Sequence, residues 1–133
     1  MNSCIRYIFG LNIRQHITPH RLSIGWLSVA NRRKYLSLCF IYKILNTGKP
    51  PYLRDKIKLY EPARPLRQTD RELDPPISHY SCYDNSLFVS TTREWNFTPL
   101  HIRHSSTLKV FKNCLHSHLL KSELNHHLIR SKL

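Results

Sequence analysis

The stretch SVANRRKYLSLCFIYKILNTG (28–48) decides the fold. Within it Tyr35, Leu38, Cys39, Tyr42 and Leu45 recur at the three- and four-residue spacing that lines up on one face of an α-helix. Leu36, Phe40, Ile41 and Ile44 add a second apolar side, so this helix is expected to be central and contacted from two directions. Thr47-Gly48 supplies a left-handed stop, and Pro50-Pro51 forbids continuation. The spacing predicts a helix from about Ser28 to Asn46, with a polar and cationic start at Asn31, Arg32, Arg33 and Lys34.

Outward toward the N-terminus, residues 2–13 read as a short helix with Ile5, Ile8, Phe9 and Leu11 on its apolar side. Thr18-Pro19 marks a second start, with Thr18 as cap and Pro19 preset for the first turn. The short helix that follows holds Leu22, Ile24, Trp26 and Leu27, and Gly25 is expected to admit a close neighbour. Outward toward the C-terminus, Leu53 to Leu59 adds a turn or two. Residues 60–85 hold Pro62, Pro65, Pro75 and Pro76 and read as an extended crossing loop. A short strand near Leu66–Leu73, paired with SLFVS (86–90), is the only β piece expected. Thr91 or Thr92 is expected to cap a turn carrying Trp95. Ser105-Ser106 is expected to cap a last helix with Leu108, Phe111, Leu115 and Leu119 as its stripe. The fold class is therefore mainly α: one small helical domain over residues 1–124, with a frayed tail at 125–133. Trp26, Leu38, Tyr42, Trp95, Phe111 and Leu115 are the candidate structural core.

Charge narrows the function classes. The 133 residues carry 21 Lys and Arg against 8 Asp and Glu, a formal net charge of +13. Residues 1–54 hold nine of the cations and no acid; residues 95–133 hold six cations and a single acid. Basic surfaces bind polyanions by displacing condensed counterions from phosphates. RNA or DNA is thus the expected partner, ahead of an anionic membrane surface or a solvated face of a fragment. Arg21, Arg32, Arg33, Lys34 and Lys43 are the candidate nucleic-acid contacts. No apolar run approaches the roughly 18 residues of a membrane span. The four cysteines, Cys4, Cys39, Cys82 and Cys114, are widely spaced. A soluble, intracellular protein, cytoplasmic or nuclear, is the expectation.

Residues for catalysis are not evident. Two-metal phosphoryl transfer needs clustered carboxylates, whereas Asp70, Glu72 and Asp74 alternate on a Pro-bounded loop. The three glycines are isolated, so no phosphate-cradling loop exists. Cys114 and His118 would share a helix face, and a zinc reading would start from them. The further ligands His126 and His127 are adjacent, which does not make the second tight pair that structural zinc sites use. Neither a metal nor another cofactor is expected.

The order of motifs resembles a known family. His16-Ile17-Thr18-Pro19, Gly25-Trp26-Leu27-Ser28-Val29, Arg32-Arg33, Ile41-Tyr42-Lys43-Ile44-Leu45-Asn46, Pro51-Tyr52-Leu53, Arg64-Pro65-Leu66-Arg67, Trp95-Asn96 with Pro99 and Ile102-Arg103, then Phe111-Lys112, follow one another at the spacing seen downstream of the polymerase in LINE-type (non-LTR) retrotransposon reverse transcriptases, Jockey-like and related. The resemblance spans about residues 5–124. It implies a thumb-adjacent, non-catalytic segment of an RNA-directed DNA polymerase, whose endonuclease and polymerase lie outside this chain. It also implies contact with that polymerase domain in a full-length element and an accessory grip on RNA or DNA. Ser28 stands where the family often has proline, and Phe97-Thr98 replaces its usual pair before Pro99. These departures point to drift, so an inert remnant of a degraded copy is the alternative reading, with a zinc-bound interaction module behind it.

Overall fold

A computed structural model of the chain describes residues 2–61, 71–77, 80–84 and 86–130. Its elements, in order, are α1 (Asn2–Phe9), α2 (Thr18–Ser23), α3 (Val29–Thr47), α4 (Pro51–Arg54), α5 (Ser81–Asp84), α6 (Leu87–Phe97), α7 (Leu100–Arg103) and α8 (Leu108–Arg130). The chain is mainly α. Among the described residues there is no sheet, only an isolated antiparallel bridge between Leu59 and Leu73.

The central helix forms for the reasons its sequence suggests. Ser28 Oγ accepts from the Asn31 amide at 3.2 Å, and Gly48, at φ 66°, closes the other end by donating its N–H to the Ile44 carbonyl. An L side chain at Gly48 would pay the left-handed penalty, which is why glycine sits there. Its inner face packs against α8 and α6. Leu38, Ile41, Tyr42 and Ile44 from α3 meet Trp95 from α6, Ile102 from α7, and Phe111, Leu115 and Leu119 from α8. Phe111 lies between two rings, stacked on Tyr42 at 4.2 Å and on Trp95 at 5.9 Å. Both polar handles in this stack are satisfied. Tyr42 Oη donates to the Ser105 carbonyl at 2.6 Å, and the Trp95 indole N–H donates to the Arg71 carbonyl at 2.7 Å.

The crossing segment is tied down by an imitation strand. Tyr60 N–H donates to Glu72 O and Asp74 N–H to Lys58 O, each at 2.9 Å. The backbone groups of Leu73 point the other way, where Asn96 takes both: Leu73 N–H donates to Asn96 Oδ1 at 2.9 Å, and Asn96 Nδ2 donates to Leu73 O at 2.8 Å. One side-chain amide thus replaces the neighbouring strand a sheet would need.

Several expectations are corrected. SLFVS is no strand: Ser86 caps α6, Leu87 to Ser90 form its first turn, and Val89, Thr92 and Trp95 are buried at a helical spacing of three. Thr91 and Thr92 are therefore buried helix-interior residues, not caps. The bridge partner of Leu73 is Leu59, and residues 66–70 of the expected strand lie outside the described residues. Thr107, not Ser105-Ser106, caps α8, its Oγ1 accepting from Val110 N–H at 3.3 Å. Ile17 occupies the cap position of α2 that Thr18 was expected to fill, and it provides no side-chain bond. The first helix stops at Phe9, and Ile8 on its expected apolar side is exposed. Of the expected tail, residues 125–130 continue α8, and 131–133 lie outside the described residues.

Trp26 does not join the core. It is 40 % exposed. Gly25, at φ 71°, turns the chain so that Leu27 points inward, while Trp26 is held by its carbonyl, which accepts from Arg21 Nη1 at 2.6 Å. A Cβ at Gly25 would meet Leu120 only at ordinary contact distance, so backbone conformation, not close approach, requires the glycine.

Removing either partner of the aromatic stack empties a space bordered by three helices. Phe111→Ala and Trp95→Ala should each cost about 3–5 kcal/mol. Urea denaturation followed by circular dichroism checks this; a midpoint equal to that of the parent chain for either variant contradicts the packing described.

Candidate nucleic-acid interface

With the inner face of α3 occupied, its outer face is what solvent sees. Steps of 100° per residue bring Val29, Arg32, Arg33, Leu36, Phe40 and Lys43 onto one stripe. All six are exposed, Leu36 by 58 % and Phe40 by 39 %. The structure thus gathers three of the five candidate contacts, Arg32, Arg33 and Lys43, and sets two apolar side chains between them. Among the described residues none of these three cations forms an ion pair.

The other two candidates are elsewhere. Lys34 is consecutive with Arg32 and Arg33 but rotates toward α6, where Nζ lies 2.6 Å from Glu94 Oε1 in a half-exposed pair. Such a pair contributes little to stability; its effect is to remove Lys34 from the outer stripe. Arg21 is corrected more sharply. It is buried and serves structure: Nη1 donates to Glu123 Oε2 at 2.6 Å, and both side chains are only 10 % exposed.

Glu123 organises everything around that pair. Its Oε1 accepts from Ser28 N–H at 2.8 Å, Ser28 Oγ at 2.7 Å and Asn31 Nδ2 at 2.8 Å. The carboxylate therefore sits against the first turn of α3, where the helix dipole also favours an anion. Burial pushes the Glu123 carboxyl up, but the hydrogen bonds from Ser28, Arg21 and Asn31 together outweigh it and hold the group below the usual glutamate range. Sequence reading passed over Glu123. The signal was present: Phe111, Leu115 and Leu119 step by four along α8, and the next step is this acid, the only one in residues 95–133.

Among the described residues, chemistry-bearing side chains do not gather into a second centre. Cys114 and His118 line one groove with His101, Asn113 and Lys121. Among the described residues no three His, Cys, Asp or Glu side chains converge as a metal ion requires. His126 and His127 lie apart from them, beside Arg21 and Glu123. Glu72 stands 3.9 Å from Arg103, Asp74 is exposed, and Asp70 lies outside the described residues. Burial pushes the Cys39 thiol up, away from the thiolate a nucleophile needs, and likewise raises the neighbouring Tyr35 phenol. Among the described residues no helix is long and apolar enough to cross a membrane. No protein-family model, curated protein sequence or solved structure matches the chain.

The lowered Glu123 carboxyl fixes a pH dependence. On acidification the unfolded chain, with its glutamate near 4.3, takes up the proton before the folded chain does. The stabilisation is then complete above the unfolded value and is lost as pH falls through the lower folded value. Glu123→Gln should be less stable than the parent chain at pH 7, by about 1–3 kcal/mol, and the gap should narrow in acid. Thermal melts of both proteins from neutral pH down into the acid range check it; a gap that stays constant over that range contradicts the assignment.

Proposed function

We propose that the chain is a non-catalytic nucleic-acid-binding segment, of the kind that follows the polymerase in LINE-type retrotransposon reverse transcriptases, and that it grips RNA or DNA through phosphates without regard to sequence. The observation that carries this reading is the outer stripe of α3. Arg32, Arg33 and Lys43 stand there unpaired among the described residues, on a helix that has no Asp or Glu along its length, in a chain of net charge +13. The order of motif blocks over residues 5–124 supports the family assignment, and in a full-length element the polymerase domain would be the neighbouring partner. No metal or cofactor enters this reading.

Salt dependence tests it. Affinity for nucleic acid should fall linearly with salt on log–log axes, each phosphate contact contributing a slope of roughly 0.7–0.9. Replacing Arg32, Arg33 and Lys43 together by Gln should flatten the slope by about two units, whereas the exposed set Lys56, Lys58 and Lys109, changed in the same way, should alter it less. Equal effects from both sets, or none from the first in a protein whose helical circular dichroism is intact, would overturn the reading. On the catalytic side, the purified chain should extend no primer and cut no strand with Mg²⁺ or Mn²⁺. Turnover above that of a mock preparation would show that the chain is an enzyme.

A further inference from the structure

The middle of the α3 stripe is unlike a plain phosphate-binding surface. Leu36 and Phe40 lie between Arg32 and Arg33 at one end and Lys43 at the other, over a length of about 16 Å. Neither side chain belongs to the core or to the residues packed against it. An exposed leucine is ordinary, but an aromatic ring one turn away and framed by cations is the combination that single-strand binders use.

Resting on the phosphate-binding reading above, we infer that the outer stripe of α3 is a single-strand site, in which Arg32, Arg33 and Lys43 hold consecutive backbone phosphates and Phe40 stacks on a base, with Leu36 beside it. A duplex suits the stripe poorly. Its base faces are closed to Phe40, and the stripe offers no side chain between its cations that could hydrogen-bond to base edges. A second copy of this chain suits it no better, since two such cationic stripes would face each other. An acidic peptide would satisfy the three cations. Yet the nine cations and absent acids of residues 1–54 match a continuous polyanion better than a discrete acidic patch.

The test uses fluorescence anisotropy with a labelled oligothymidylate of about 15 nucleotides and a hairpin duplex of equal phosphate number, compared at each point of one salt series. The parent chain should prefer the single strand. Phe40→Ala should weaken oligothymidylate binding about 5- to 100-fold, leave duplex binding and the salt slope unchanged, and be rescued by Phe40→Tyr. Phe40→Leu keeps the apolar bulk without the π face and should lose affinity as well; it decides the matter if the alanine variant does not fold. Equal affinity for both probes, or Phe40→Leu binding as the parent does, overturns the single-strand site while leaving phosphate binding intact. Displacement of the oligomer by poly-glutamate at equal charge concentration overturns it in favour of an acidic protein partner. If neither probe binds at low salt, the phosphate reading itself is overturned and this inference with it.

Discussion

Phe111 fills the space between Tyr42 and Trp95, and through those two contacts α8 fixes both α3 and α6. The rotation of α3 about its own axis follows from this. Once Tyr42 stacks on Phe111 and its hydroxyl reaches the Ser105 carbonyl, Leu38 and Ile41 must also face inward, and the residues half a turn away must face water. The outer stripe is therefore a by-product of the aromatic stack. A different rotation would have buried Phe40 and carried Lys43 toward α8. The exposed stripe and the core are two sides of one geometric decision, and for this reason the charges of α3 cannot be understood apart from its packing.

Much of the fold could be read from local pattern. The borders of α3 follow from Ser28, Gly48 and the paired prolines, and the stripe of α8 follows from residues spaced by four. These signals act within a few residues, so one chain is enough to see them. Tertiary choices were harder to see. SLFVS carries β-formers and reads as a strand in isolation, but Ser86 as cap and the burial of Val89, Thr92 and Trp95 at spacing three put it on a helix. Leu36 and Phe40 are as apolar as Leu38 and Ile41. Their exposure depends on how many neighbours a domain this small can place around one helix. The candidate interface was legible in the same uneven way. Arg32, Arg33 and Lys43 were identifiable as cations with no acid nearby in sequence, whereas the separate fates of Arg21 and Lys34 depend on Glu123 and Glu94, 102 and 60 residues away.

Scarcity of acids gives these pairings their weight. Residues 1–54 contain none, so any cation there that the fold buries must find its carboxylate from another part of the chain. Arg21 finds Glu123. The same carboxylate accounts for a serine at position 28. A proline at 28 has neither N–H nor hydroxyl, and here both Ser28 groups donate to Glu123.

Ser28 Oγ also has a double attachment. The oxygen that accepts the Asn31 amide and so begins α3 is the oxygen that donates to Glu123 on the far half of α8. Fraying of α3 at its start and undocking of α8 both break a bond of this one hydroxyl. The protection of the Asn31 amide against solvent deuterium should therefore respond to the loss of Glu123, a residue 92 positions downstream.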